Sequence, residues 1–233
     1  MSAIRLGTRA STLATTQSEM VARLLRSEGL DVDLTTITTH GDTSTASLAA
    51  MGGIGVFASA IRAALLEGEA DIAVHSFKDL PTGRPLGLAI GAVPARADPR
   101  DALVARDGLT LHDLPQEASV GTGSPRRAAQ LLAVRPDLTI VDIRGNVDTR
   151  LGRVKGLGRY AKNGGKEDLD AVVLAASGLA RLGHSGAVTE FLDPSVVLPA
   201  PAQGALAVEC RTADSRLSLI HISSPRDATL SRM

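Results

Sequence analysis

"ASVGTGSPRRAAQLLAVRP", residues 118–136, decides how the chain folds. Ala118–Thr122 reads as a short strand, and Ser124-Pro125 opens a helix. The serine oxygen can accept from a free N–H of the first turn, and proline's fixed φ suits the first helical position. The helix runs through Ala128, Leu131 and Leu132 and should stop before Pro136. A strand that turns straight into a helix is the building unit of an α/β fold, and the same grammar recurs along the chain. "AIRLGT" (3–8) is a strand. Ser11 then caps a helix with Leu13, Met20, Val21, Leu24 and Leu25 on one face, stopped near Gly29. "VDLTTITT" (32–39), "DIAVHS" (71–76) and "GLAIGAV" (87–93) are further strands. "MGGIGVF" (51–57) is a glycine loop feeding a helix of Phe57, Ala60, Ile61, Ala64 and Leu65 that ends at Gly68. "LTIVDI" (138–143) and "DAVVLA" (170–175) continue the pattern, with "KGLGRYAKNGGKEDLD" (155–170) expected as a flexible surface loop.

This alternation predicts an α/β fold with a largely parallel sheet. Two proline-bearing connectors, "VPARADPRD" (93–101) and "VLPAPAQG" (197–204), lead into and out of the second half. The strand "ALAVECR" (205–211) comes late enough to complete the first half's sheet, which predicts two hinged lobes with a cleft between them. "GTRAS" (7–11) echoes "GTGSP" (121–125), a faint sign that the lobes are alike.

Composition narrows the function. Lys+Arg 25 against Asp+Glu 25 gives no net charge, and aromatics make up 2%, which argues against a protein that coats nucleic acid. A single cysteine excludes an internal disulfide and leaves the cytoplasm as the expected compartment. No stretch approaches a membrane span. No His, Cys, Asp or Glu spacing suits a metal, so none is expected.

Polar residues gather at the carboxyl ends of the strands, where open α/β sheets bind ligands. Arg126 and Arg127 stand in the first turn of a helix, a place that disfavours cations by about 0.3–1 kcal/mol each. A bound anion would offset that cost, and a solvated surface pair carries equal weight. Arg144 and Arg150 nearby favour the anion, and guanidinium forks suit several carboxylates or phosphates. Neither a dinucleotide fingerprint nor a phosphate loop is present. His75 reads as a hydrogen-bonded core histidine, Ser124 as a cap or anion contact, and Cys210 as a packed strand residue. Lys78-Asp79, at the mouth of the buried strand 71–76, is either a surface ion pair of little consequence or a carboxylate set among cations for chemistry; the spacing leaves both open.

Taken in order, "HSFKDLPTG", "DPRDALV", "VGTGSPRRAAQL", "IRGNVDTRL", "LAASGLARLG" and "LPAPAQGALAVECR" resemble the hydroxymethylbilane synthase (porphobilinogen deaminase) family, as does the opening "RLGTRASTLATTQ". The resemblance spans about residues 3–216. It implies lobes like those of type II periplasmic binding proteins, a first lobe of residues 1–94 plus 205–216 and a second of 100–198. It implies a transferase of tetrapyrrole (heme, porphyrin) biosynthesis that joins four porphobilinogen units head to tail, releasing ammonia each time, on a dipyrromethane cofactor. Asp79 would stabilise the electron-poor azafulvene that forms when ammonia leaves. Arg9, Ser11, Ser76, Lys78, Thr122, Ser124, Arg126, Arg127, Arg144, Arg150 and Gly178 would hold cofactor or substrate. Arg181 and Gln203 would belong to the cleft and hinge. The expected partners are porphobilinogen and the growing polypyrrole, with no nucleic acid, no membrane and a monomeric state.

After "ECRTADSR" the family continues into a third, α+β domain bearing the cysteine that anchors dipyrromethane. Here residues 217–233 read "LSLIHISSPRDATLSRM", unlike the family and expected to be disordered. Cys210 matches the return strand and does not replace that cysteine. The chain is therefore expected to be inactive for want of a cofactor anchor. A two-lobe module that binds a small polycarboxylate without chemistry is the alternative, and nucleotidyl or phosphoryl transfer comes third.

Overall fold

The structure, a computed structural model, describes residues 2–37, 56–83, 85–214 and 217. In chain order the strands and helices are β1 (Ile4–Thr8), α1 (Thr12–Ser27), β2 (Val32–Thr36), α2 (Val56–Leu66), β3 (Ile72–Ser76), β4 (Leu88–Ala92) and β5 (Asp101–Ala105). They continue with β6 (Ser119–Gly121), α3 (Pro125–Val134), β7 (Thr139–Val141), α4 (Val147–Leu151), β8 (Ala171–Ala175), α5 (Ala176–Arg181), β9 (Glu190–Phe191) and β10 (Leu206–Arg211). Packing divides the described residues into one unit that runs to Arg96 and resumes at Ala205, and a second of Ala97–Gly204.

The first unit holds a five-stranded sheet in the order β2-β1-β3-β10-β4. β1 runs parallel to β2 and β3, while β10 is antiparallel to β3 and β4. Alternation along the strands sends Leu6, Ile72, Val74 and Val208 to the face covered by α1, and Ala73 and Leu88 to the face where Ile61 and Leu65 of α2 pack. Burying a leucine such as Leu65 completely contributes about 1.5–3 kcal/mol. The second unit repeats the layout: β7-β6-β8-β5-β9, with β6 parallel to β7 and β8, and β5 antiparallel to β8 and β9.

The likeness of the units extends to single residues. Leu6 pairs with Ile72 as Val120 pairs with Ala171. Just before each of these parallel strands stands a buried aspartate, Asp71 or Asp170. Asp71 accepts from the Arg5 amide at 3.0 Å, and Asp170 from the Ser119 amide at 2.9 Å. Each carboxylate thus closes the ladder end of its unit and collects cations, Arg5 and Arg211 in one unit, Arg106 and Lys155 in the other. Burial alone would raise both carboxyls; these hydrogen bonds outweigh it and hold both well below the usual carboxylate range.

Three expectations need correction. The buried face of α1 is centred on Gln17, Ser18, Val21 and Ala22, while Met20 and Leu24 are exposed. Small side chains let the helix settle close to the sheet, and Gln17 faces inward because it has a partner on β3. In α3, Leu131 is buried but Leu132 is exposed. Nor is 155–170 a mere surface loop. Leu157 and Tyr160 pack against the second core, Val154 bridges Leu169, and the Glu167 carboxylate accepts from the amides of Gly156 and Gly158. The glycine loop before α2, Thr38 and Thr39 of the predicted second strand, and the tail beyond residue 217 lie outside the described residues.

Candidate functional site

In the first unit the chain leaves β3 at Ser76 and makes one 3-10 turn, Phe77–Asp79. Phe77 is partly buried and Leu80 buried, both packed near Ala58 and Ala207. With its two ends anchored in the core, the turn presents the intervening Lys78 and Asp79 outward. The charge pair therefore sits at a strand mouth because the apolar residues on either side of it fix the turn.

Asp79 shares an open recess with Arg9, Ser11, Gln17, His75 and Ser76. Ser11 caps α1 by accepting from the Ala14 amide at 3.3 Å. The buried Gln17 amide brackets the Ser76 hydroxyl, with Nε2 donating at 3.0 Å and Oε1 accepting at 3.2 Å. The Asp79 side chain is exposed at the mouth of the recess, and the protein packed around the recess displaces part of the water that would stabilise its charge. Burial therefore pushes the carboxyl up, and the positive charges of Lys78, Arg9 and His75 pull it back only in part. Behind the recess, buried Glu209 of β10 accepts from Arg62 Nη2 at 2.9 Å and lies 3.2 Å from His75 Nε2, off the line of a straight hydrogen bond.

In the second unit Thr122 Oγ1 accepts from the Ser124 amide at 3.2 Å, and Ser124 caps α3 by accepting from the Arg127 amide at 3.5 Å. The cation argument for Arg126 and Arg127 needs correction: the anion beside them is internal. Asp101, 0% exposed at the head of β5, accepts from Arg126 Nη2 on Oδ2 and from Arg127 Nη2 on Oδ1, each at 2.7 Å. Gln203 Nε2 joins Oδ1 at 2.8 Å. Burial would raise the Asp101 carboxyl, but the Arg127 bond and charge, with Arg126 and Gln203, hold it below its ordinary value. Arg127 also donates to the Val173 carbonyl at 3.0 Å, and its buried Nε has no acceptor among the described residues.

Arg144, at the end of the segment after β7, and Arg150 in α4 complete a cationic group. Arg150 Nε donates to the Gly145 carbonyl at 2.8 Å, and burial first, then the charges of Arg127 and Arg144, depress its pKa. Positive groups crowded this closely favour a negative partner. Counted from the register Leu206↔Ser76 and Asp101↔Ala175, Gly178 occupies the place in its unit that Asp79 holds in the other. It is buried, yet a Cβ there would meet nothing within 4 Å, so space is left above its α-carbon. Arg181 Nη2 donates to the Gly204 carbonyl at 2.7 Å, and burial lowers its pKa.

Each unit thus assembles its own share of the predicted residues. Asp79, Arg9, Ser11, Ser76 and Lys78 cluster in the first. Thr122, Ser124, Arg126, Arg127, Arg144, Arg150, Gly178, Arg181 and Gln203 stand on the corresponding loops and helix starts of the second. Cys210 is buried in β10, where burial pushes its thiol up and away from thiolate reactivity. Sequence reasoning missed Asp101, Gln17 and the Arg62–Glu209 pair; it placed His75 in the core, where its Nε2 faces Glu209 without a straight hydrogen bond. The signal for Asp101 was its position between Arg100 and an apolar strand. Gln17 offered none, because a polar residue inside a helix ordinarily faces water.

Residues 4–218 match the family described as porphobilinogen deaminase, dipyromethane cofactor binding domain. The chain is 99% identical over 216 residues to the porphobilinogen deaminase of Cutibacterium acnes, covering 93% of this chain and 65% of that protein. It is 59% identical over 221 residues to that of Micrococcus luteus, covering 92% and 59%. The chain therefore spans less than two thirds of the length of these relatives. In fold it is similar to the apo YehZ structure from Escherichia coli, with a TM-score of 0.51 at 15% identity, covering 95% of this chain and 84% of that one. It is also similar to an ABC transporter periplasmic substrate-binding protein from Coxiella burnetii, with a TM-score of 0.50 at 20% identity over 98% and 94%.

Proposed function

Because the chain belongs to the porphobilinogen deaminase family, we propose that its two units carry the binding and acid–base residues of a hydroxymethylbilane synthase. The reaction would condense four porphobilinogen molecules with loss of ammonia at each step. The observation that carries this reading is the placing of Asp79, an exposed carboxyl, in a recess shared with Arg9 and Ser76, beside Lys78. Such a group can accept pyrrole N–H bonds and stabilise positive charge on the azafulvene as ammonia departs. A carboxyl that keeps its proton to higher pH can also assist proton transfer to the departing amine. Lys78 and Arg9 would face the acetate and propionate groups of the pyrrole.

The second unit supports a resident polyanion. Arg144 and Arg150 crowd together, Arg127 Nε is buried without an acceptor, and the space above Gly178 suits a flat ring. Thr122, Ser124, Arg144 and Arg150, with Gly178, would hold dipyrromethane, which when bound supplies the nucleophilic pyrrole carbon. Arg126, Arg127, Arg181 and Gln203 would shape that site from behind. The reading places the protein in the cytoplasm as a soluble monomer; among the described residues no helix is long and apolar enough to cross a membrane.

Titration calorimetry with porphobilinogen, coupled to an assay of released ammonia, tests the proposal. Saturable binding is the expected result; ammonia release that Asp79→Asn abolishes would place the chemistry on Asp79 and overturn the expectation that this chain is inactive. Binding without ammonia would favour a module that only captures a small polycarboxylate. No binding would overturn the reading.

A further inference from the structure

A polar side chain on the buried face of a helix is costly unless its hydrogen bonds are met. Gln17 stands there on α1, 4% exposed, and its amide reaches across to β3. Among the described residues Ser76 is its side-chain partner, met by both ends of the amide. Nε2 donates to Ser76 Oγ at 3.0 Å, and Oε1 accepts from the same hydroxyl at 3.2 Å. Ser76 stands immediately before the 3-10 turn Phe77–Asp79, where a serine ordinarily caps, yet its side chain makes no cap bond. The hydroxyl is given over to Gln17.

That commitment fixes what Ser76 can offer a ligand. A serine hydroxyl has one proton to donate and two lone pairs to accept with. The proton goes to Oε1 and one lone pair receives the Nε2 N–H, so a single lone pair remains. Turning the amide through half a turn exchanges its two atoms and leaves that result the same. Ser76 is half-buried and lines the recess with Asp79. Toward the recess it accepts and has no proton to give. A ligand carboxylate brings only acceptors and finds no donor in Ser76, whereas an ammonium brings three donors and no acceptor.

We propose that Gln17 is a positioning residue that makes Ser76 an acceptor for the aminomethyl ammonium of porphobilinogen. The proposal rests on the functional reading above, in which Asp79 takes the pyrrole N–H while Arg9 and Lys78 face the carboxylates. The ammonium is the donor group that reading leaves unplaced, and Ser76 is the acceptor it leaves unused. The recess thereby sorts a ligand bearing both signs of charge, with the departing amine on the serine and the acid groups on the cations.

Titration calorimetry of the whole chain tests this with porphobilinogen and with the same pyrrole bearing a methyl group in place of the aminomethyl group. The analogue keeps both carboxylates and the pyrrole N–H and lacks only the ammonium. One hydrogen bond to a charged group corresponds to roughly tenfold or more in affinity. Ser76→Ala should therefore cut the preference for porphobilinogen by about that factor. Gln17→Met releases the hydroxyl proton to turn toward ligand carboxylates and should cut the preference by about threefold or more. Introduced into Ser76→Ala, it should cut the preference no further, because it acts through that hydroxyl. A residue that only packs α1 onto the sheet would weaken both ligands alike and leave the preference as it was. Ser76→Ala reports even if Gln17→Met folds poorly. An unchanged preference in either variant, or an equal further drop from Gln17→Met in the Ser76→Ala protein, would overturn the proposal while sparing the functional reading. Porphobilinogen that gives no binding heat would remove the functional reading and the proposal together.

Discussion

Replacing Asp101 with alanine should loosen the second unit far more than the first, and the structure sets the scale. The carboxylate is completely buried beneath Arg126 and Arg127. Without it, Arg126 can turn toward water, so its share of the loss is about 1 kcal/mol or less. Arg127 cannot: its guanidinium is buried, and among the described residues its Nε lacks an acceptor and only the Val173 carbonyl would remain to it. Removing one partner of a buried ion pair costs about 3–5 kcal/mol. At about 1.4 kcal/mol per factor of ten, amides of the β5–β8 ladder should exchange roughly a hundred- to several-thousand-fold faster. Amides of the β3–β10 ladder in the first unit serve as the internal control and should change little. Asp101→Leu combined with Arg127→Leu should recover part of the loss, because the uncompensated charge is then gone. The pH dependence has a definite sign. The folded Asp101 carboxyl lies below its unfolded value of 3.8, so its stabilisation is full above about pH 4 and is lost as pH falls through the folded value. Asp101→Ala should lack that acid-linked portion. A loss under about 1 kcal/mol, or equal acceleration in both units, would refute the argument that Arg127 depends on this carboxylate.

Asp79→Asn should abolish any ammonia release the chain supports, without lowering the melting temperature. The folded Asp79 carboxyl is raised, so wild-type stability falls as pH climbs from 3.8 through the folded value, and the neutral amide should remove that slope in a thermal melt. Glu209→Ala strands Arg62 and His75 behind the recess; exchange in the β3–β10 ladder should reveal a loss of about 3 kcal/mol confined to the first unit. Gly204→Ala would press a Cβ to 2.5 Å from the Ala97 carbonyl at φ +87. A denaturant melt should show a loss of about 1–3 kcal/mol or more, and a neutral outcome would mean the backbone there yields freely.

The alternation of strands and helices was legible because its signals are local. Ser11 and Ser124 cap helices through oxygens that sit three residues from the amides they receive, and Pro125 needs only its own ring geometry. The late strand 205–211 was legible from its apolar run, and its antiparallel course between β3 and β4 fits the order of the chain. Family membership was legible too, since ordered motifs survive in sequence without reference to contacts. The Lys78–Asp79 pair stood out for the same reason, a charge step at the end of an apolar run.

What only the tertiary structure decided are the partners. The two arginines of α3 looked like a site waiting for an anion, yet their nearest carboxylate is Asp101, about a quarter of a hundred residues away along the chain and fully buried. Asp71 and Asp170 proved to be equivalent only once the strand registers aligned them, and Gln17 turned inward only because Ser76 stands opposite. Sequence by itself determines the periodicities and caps, because these depend on neighbours within a turn. It cannot determine which buried charge answers which, because that pairing depends on strand register and on how much water folding removes.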